Sequence, residues 1–261
     1  MDIQQFENYL NIDSDTYHQI DLNSLNHFIK RFMHTVPFEN ISVQNNTPIS
    51  VSIDDLFNKI VYQNRGGFCY EMNTLFQAYL KKKGFNVDCI SGTVHAPDDS
   101  WTRDGSHMST IVHLDRPYIA DVGFGDLPTE AIPISTHEDP TVINDINGNY
   151  RAISDASGSI QLQKQLENME WRTSYQTQFT PRSWDFFEDH LAFNALNPDS
   201  IFVQNLIITI PKEYGRVSMS KAHLTITTND GKQKEPVTHD NYKNILKHYF
   251  GIEEQIKTLE S

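Results

Sequence analysis

Between Met72 and Leu80 the apolar residues are Met72, Leu75, Phe76, Tyr79 and Leu80, the i, i+3, i+4, i+7, i+8 spacing that gives a helix one buried face. Gly66 and Gly67 break the chain just before this run. Lys81 to Lys83 and then Gly84 close it, with cations suited to the negative end of the helix dipole and a C-terminal stop. The same period predicts helices over Gln4 to Leu10, over Leu22 to Thr35 with Leu25, Phe28, Ile29 and Phe32 inward, and over Ile53 to Tyr62. Beyond residue 83 the period shortens to two. Asn86 to Ile90, Met108 to Leu114 and Tyr118 to Val122 read as strands, the last two joined through Asp115-Arg116-Pro117, and short alternating segments such as Ile160-Gln161-Leu162 continue to about residue 190. The remainder mixes both types: Leu206 to Ile210 and His223 to Thr228 as strands, the latter turning at Asn229-Asp230-Gly231, and Tyr242 to Tyr249 as a helix. With no repeat or low-complexity linker between them, these zones predict an α+β chain: helices over 1–83, strands over 84–190 and a mixed segment over 191–261.

Chemistry enters at the start of the glycine-bounded helix. Cys69 sits in Arg65-Gly66-Gly67-Phe68-Cys69-Tyr70-Glu71-Met72-Asn73, in the first helical turn, where unpaired backbone N–H groups and the dipole favour thiolate over thiol. Taken alone, a free cysteine is more often a small buried apolar residue. Two residues downstream change that balance. Gly105-Ser106-His107 opens the Met108 strand and Asp121 lies near the end of the next, so His107 and Asp121 share one end of a hairpin whose register the turn leaves open by a residue or two. A cysteine nucleophile needs an imidazole to take its proton and a carboxylate to orient that imidazole. Asp121, among the apolar Ile119, Ala120, Val122 and Phe124, would cost several kcal/mol to bury unpaired and therefore needs a partner.

These motifs, Arg65-Gly66-Gly67-Phe68-Cys69, His107 and Asp121-Val122-Gly123-Phe124-Gly125, resemble those of the arylamine N-acetyltransferases. Val36-Pro37-Phe38-Glu39-Asn40 is similar to an early box of that family. Phe179-Thr180-Pro181-Arg182-Ser183-Trp184, with Asn197-Pro198 through Phe202, is similar to its central segment, so the resemblance covers about residues 1–230. It implies a helical bundle carrying the nucleophile, a β-barrel-like domain carrying His107 and Asp121, and an α/β lid shortened at the C-terminus, with a papain-like arrangement of the triad. The implied reaction moves acetyl from acetyl-CoA, with no cofactor bound permanently, to an arylamine, arylhydrazine or N-hydroxyarylamine through a Cys69 thioester, a chemistry of xenobiotic metabolism. It also implies Phe38 and Phe124 as the acceptor wall, Glu39 and Arg65 as an ion pair supporting the cysteine loop, and Gly125 as a point where a ligand approaches the backbone. Arg103 and Gly105, in the segment matching the coenzyme loop, are candidates for coenzyme contact. Two rival readings use the same residues: a thiol amidohydrolase or peptidase whose acyl-enzyme meets water, and an inactive binding relative.

Composition narrows the partners. With 261 residues and 38% apolar content the chain can bury a large core or two to three packed subdomains. The formal charge of −13 argues against nucleic-acid or anionic-membrane binding, and it poses a problem for an anionic coenzyme, whose phosphates need a local cluster of cations or backbone N–H groups. The two cysteines, Cys69 and Cys89, fit reduced cytoplasmic thiols, since a bridge would consume the nucleophile. Scattered histidines and the lack of any CxxC pair make a metal site an unfavoured expectation. The polar start and the absence of a long apolar run predict a soluble cytoplasmic protein.

Overall fold

The computed structural model describes residues 1–96 and 98–260. Its first part is helical: α1 (Ile3–Leu10), α2 (Leu22–Thr35), the short α3 (Ile41–Gln44) and α4 (Ile53–Phe57), and α5 (Cys69–Lys82), with a two-residue strand β1 (Phe38–Glu39) between α2 and α3. Asp2, Asp21 and Ser52 accept from backbone N–H groups in the first turns of α1, α2 and α4, which fixes where these helices begin. Strands β2 (Asn86–Val94), β3 (His107–His113), β4 (Pro117–Ile119), β5 (Ile132–Ser135), β6 (Ile143–Asp145), β7 (Gly148–Ser154), β8 (Ser159–Gln165) and β9 (Trp171–Pro181) form one sheet in the order β5-β4-β3-β2-β9-β8-β7-β6. A further parallel pairing of β5 with β7 closes seven of these strands into a barrel and leaves β6 outside as a flap. Helices α6 (Glu188–Leu196) and α7 (Ile201–Gln204) lead to β10 (Ile208–Lys212), β11 (Gly215–Met219), β12 (His223–Thr228) and β13 (Gly231–Pro236), and α8 (Tyr242–Ile245) follows.

Two apolar cores result. One joins the helices to the barrel around Phe6, Phe28, Phe32, Phe76, Tyr79 and the inward barrel residues. The other lies under the C-terminal sheet, between Leu206, Ile208, Val217 and Leu224 and the covering Tyr242, Leu246 and Ile256. Strand β1, from the helical part, is the edge of that C-terminal sheet: Phe38 pairs with Thr209 and Glu39 with Ile208. The helical segment and the last segment therefore share a sheet.

Several expectations from periodicity shift at their edges. The helix expected over Ile53 to Tyr62 is α-helical only to Phe57 and widens to a π turn over Asn58–Tyr62; the terminal helix does the same over Leu246–Phe250. The strand expected to reach Val122 stops at Ile119, because beyond Ala120 the backbone is held by side chains instead of a ladder, Val122 N–H by Asn73 and Gly123 N–H by Asp121. The strand expected from Leu206 begins at Ile208, since the Asn40 amide takes the Phe202 and Asn205 carbonyls and the Ile207 N–H. Where strand character was expected up to about 190, the chain turns helical from Trp184. Helix α6 buries little besides Asn194, so it lacks the apolar stripe that marks a helix in sequence.

The cysteine loop is wedged between two other segments. Phe38 and Gly67 form a parallel bridge, and Glu39 N–H donates to Gly67 O at 2.8 Å. A Cβ on Gly66 would lie 1.8 Å from Pro37 O, so only glycine lets the two backbones meet. The buried Arg65 donates from Nε to Glu39 Oε1 at 3.0 Å and from Nη1 to Glu254 Oε2 at 2.9 Å, while Lys59 reaches Glu71 Oε1 at 2.7 Å. Burial alone would push Glu39 up, yet Arg65 and Lys59 hold its carboxyl below the usual range. Glu71 is pushed up by burial despite Lys59; its other oxygen accepts the Phe68 N–H at 3.2 Å, which caps α5 where Cys69 begins it.

Gly66→Ala is expected to destabilise the protein by about 2 to 4 kcal/mol, because backbone and not a flexible side chain opposes the new methyl. Chemical unfolding of the variant measures this; an unchanged midpoint would show that the two segments can part freely.

Candidate active site

The nucleophile candidate, the imidazole and the carboxylate converge, and strand register explains why. His113 lies opposite Pro117 and Ile111 opposite Ile119, and Ala120 N–H donates to Thr110 O. Asp121 follows directly after this last bond, at the end of the hairpin where His107 begins β3. His107 Nε2–H donates to Asp121 Oδ2 at 2.6 Å, both groups being buried. Burial disfavours a charged imidazole, but the Asp121 carboxylate and, to a lesser degree, the Cys69 side chain overcome this and raise the His107 pKa to about 10. With Nε2 engaged, Nδ1 is the nitrogen left for the thiol. Cys69 itself is 3% exposed, and a Cβ on Gly123 would lie 2.9 Å from its Cα, so the Asp121 loop rests directly on the start of α5. Cys89 is also unpaired, but burial pushes its thiol up to about 11, away from a reactive range.

Asp121 receives four donors. Besides His107, Tyr175 O–H reaches Oδ2 at 3.1 Å, while Asn73 Nδ2 at 2.9 Å and Gly123 N–H at 2.8 Å reach Oδ1. Burial would raise this carboxyl, and His107, Asn73 and Gly123 together hold it below the usual carboxylate range. Sequence reasoning missed both Asn73 and Tyr175. Asn73 lies one turn after Cys69 and Gln77 one turn further, and this i, i+4, i+8 stripe stitches α5 to β3: Asn73 Nδ2 donates to Met108 O at 2.8 Å and Gln77 Nε2 to Thr110 Oγ1 at 2.9 Å. Two amides and a thiol so spaced on one helix are a readable signal. Tyr175, on β9, offers none; β2, which pairs with both β3 and β9, brings its ring to a centroid distance of 4.9 Å from His107.

A cleft of about 550 Å³ lies between the barrel rim and the C-terminal sheet, and Phe38, Phe124 and Gly125 line it. The Phe124 ring stands edge-on to His107 with centroids 5.2 Å apart. Arg103 and Gly105 are placed elsewhere. The Arg103 guanidinium stacks on Phe193 at 4.7 Å, a Cβ on Gly105 would lie 2.7 Å from the Phe186 ring, and neither residue borders the cleft. The cations on the cleft wall are instead Lys164, Arg216 and Lys232, residues far apart in sequence. Glu39 and Arg65 pair beneath the cysteine loop. Among the described residues no group of three or more His, Cys, Asp or Glu side chains could hold a metal ion, and no helix is long and apolar enough to cross a membrane.

A thiol at a helix start, facing an imidazolium locked to a buried carboxylate, belongs to the class of enzymes that carry an acyl group on sulfur. Residues 21–259 match the family model described as N-acetyltransferase, and the chain belongs to that family, the arylamine N-acetyltransferases. A liver arylamine N-acetyltransferase of Gallus gallus is 26% identical over 231 residues, covering 80% of this chain and 79% of the relative. Among solved structures, an arylamine N-acetyltransferase of Bacillus cereus superposes with a TM-score of 0.86 at 29% identity, covering 97% of this chain and 100% of that one. That protein is described as having a unique Cys-His-Glu catalytic triad; the carboxylate bonded to His107 here is an aspartate. The Mycobacterium marinum arylamine N-acetyltransferase in complex with CoA superposes with a TM-score of 0.88 at 25% identity, covering 99% of this chain and 97% of that one.

The ion pair has a signed pH consequence. His107 is raised above its unfolded value, so its contribution is complete below about pH 6.5 and lost as pH climbs through about 10. Asp121 is depressed, so its contribution is present above roughly pH 3.9 and lost as pH falls through the lower folded value. The difference in melting temperature between wild type and Asp121→Asn should therefore be widest between about pH 5 and 8 and shrink toward both extremes. A difference that stays constant up to about pH 11 would mean that the buried pair is not ionic.

Proposed function

We propose that the protein acetylates arylamines, arylhydrazines or N-hydroxyarylamines in two half-reactions through Cys69, with acetyl-CoA as donor. The observation that carries this reading is the union of Cys69, His107 and Asp121 beside Phe124, whose ring stands edge-on to His107 and lines the cleft together with Phe38. In the first half-reaction the Cys69 thiolate adds to the thioester carbonyl. The intermediate then collapses, the bond to the coenzyme sulfur breaks, and His107 gives its proton to that departing sulfur. In the second, the acceptor nitrogen adds to the acetyl-enzyme, His107 takes the proton the nitrogen loses, and Cys69 departs as thiolate. Asp121 holds the ring through both. The Cys69 N–H, in the first turn of α5 and outside the helix's own ladder, is the candidate donor to the oxyanion, a kind of contact worth roughly 2.7 to 4 kcal/mol in other enzymes.

The cleft supports the remaining assignments. A flat acceptor would lie against Phe38 and Phe124, where ring contacts add to simple burial. The anionic coenzyme would enter over Lys232 on the C-terminal sheet, a local cation set against the unfavourable overall charge of −13. N-acetylation removes the basicity of an aromatic amine, which supports a role in xenobiotic metabolism. A reactive, unpaired Cys69 supports a reducing cytoplasmic setting.

Incubation with acetyl-CoA should add one acetyl group to the intact mass, absent in Cys69→Ala, and the adduct should persist until an arylamine is supplied. Prompt loss to acetate without an acceptor would favour a hydrolase instead. Iodoacetamide should label Cys69 rapidly at about pH 6, and roughly tenfold or more slowly in Asp121→Asn, which loses the group that keeps His107 protonated. Equal labelling of the two proteins would remove Asp121 from the mechanism.

A further inference from the structure

We propose that Tyr70 and Asn194 are positioning residues that set His107 against Cys69; this rests on the reading of those two groups as base and nucleophile. Strand β4 ends at Ile119, so the first part of β3 runs past the end of its neighbour. The carbonyls of Thr110, Met108 and Ser106, every second residue and so on one side of β3, are nevertheless all taken. Ala120 N–H donates to Thr110 O at 2.9 Å, Asn73 Nδ2 to Met108 O at 2.8 Å, and Tyr70 O–H to Ser106 O at 2.6 Å. Side chains of α5 thus continue the ladder that β4 leaves unfinished.

The Tyr70 bond sits next to both reacting groups. Tyr70 follows Cys69 in the chain and Ser106 precedes His107, so one hydrogen bond joins the neighbour of the sulfur to the neighbour of the ring. The Ser106 carbonyl belongs to the peptide plane from which the His107 side chain departs, and fixing that plane fixes where the ring can reach. Its anchor is rigid. The Tyr70 ring is wholly buried and edge-on to Phe68, Phe187 and Trp184, and burial pushes its phenol well above the ordinary value, so it remains a donor.

Asn194 completes the link from the other side. Its amide donates to Tyr70 Oη at 2.9 Å and to the same Ser106 carbonyl at 3.3 Å. Asn194 is the one buried residue of α6, and Ser200 Oγ holds its backbone carbonyl at 2.9 Å, which ties it to α7. Phe186, just before α6, packs where a side chain on Gly105 would stand, and Phe193 stacks on Arg103. Helix α6 and its lead-in therefore grip the 103–106 turn along its length. That accounts for a helix without an apolar stripe: its contacts are directed at one turn. With the carbonyl at 106 released, the His107 ring would swing away from the sulfur while Asp121 still held its other nitrogen.

Tyr70→Phe and Asn194→Ala each remove a donor to Ser106 and leave the aromatic shell in place. Tyr79→Phe is the comparison, because it deletes an equally buried hydroxyl on the same helix, bonded to Glu7 at 2.9 Å and far along it from Cys69. For each protein the rate of iodoacetamide labelling of Cys69 is measured at about pH 6 and about pH 9, and the ratio of the two rates cancels any change in access. That ratio should fall about tenfold in Tyr70→Phe and in Asn194→Ala and keep its wild-type value in Tyr79→Phe. Asp121, Cys69 and Tyr175, the titratable groups that face the ring, are untouched in all of them. In the double variant the fall should be smaller than the product of the single falls, since both donors serve one carbonyl. A ratio that stays at wild type in Tyr70→Phe and Asn194→Ala, falls alike in Tyr79→Phe, or multiplies in the double variant would overturn the proposal. Single-turnover acetylation by acetyl-CoA should slow by a similar factor with half-saturation unchanged; a raised half-saturation point at full rate would assign both residues to coenzyme binding and overturn it as well. If acetyl-CoA leaves wild-type Cys69 unmodified while the labelling ratios behave as expected, the positioning stands and it is the transfer reading that fails.

Discussion

A carboxylate taken wholly out of water is the constraint around which this molecule is assembled. Asp121 would be untenable alone, and its four donors come from four places: His107 on β3, Asn73 on α5, Tyr175 on β9 and Gly123 of its own loop. Satisfying one buried charge therefore fixes the helix against the barrel and ties β3 to β9 across β2 at the same point. Rigidity around the His107 ring comes from this shared obligation. It is what the proposed role of His107 as general acid and base would require.

Beneath the cysteine loop a second buried set, Glu39, Arg65, Lys59 and Glu71, does related work with different means. Carboxylates and cations alternate there, and Glu254 extends the set to the C-terminal segment, which Asn45 also ties down through Gln255 and Lys257. Such clusters contribute little net stability, since desolvation offsets attraction, but breaking one leaves a charge buried without a partner. The effect is specificity of placement: the turn that presents the thiol is held to the Pro37 segment on one side and to the chain's last residues on another.

How much of this is legible in the sequence depends on distance along the chain. The α5 stripe, its glycine entry and the β3–β4 turn are local features, and each can be read from the spacing of a few residues. His107 and Asp121 fall together because a hairpin obeys register. Tyr175 and the Lys164–Asp126–Arg216 group draw on segments 38 to 91 residues apart, joined only when β8, β9 and the C-terminal sheet pack, and no periodicity encodes that meeting. Arg103 illustrates the converse. A cation just before β3 looks suited to phosphates, yet the neighbouring α6 supplies Phe193 as its partner, and α6 lacks the apolar stripe that would mark it in sequence.

The pairing of Phe38 and Glu39 with Thr209 and Ile208 carries a consequence for synthesis on the ribosome. Residues made early must wait, as an unmatched edge, until some 170 more have emerged before their partner strand exists. The bridge from Phe38 to Gly67 ties the thiol-bearing turn to that same delay. A nascent chain arrested within the barrel would hold Cys69 in an unfinished setting, since the strand that anchors its turn has yet to be made.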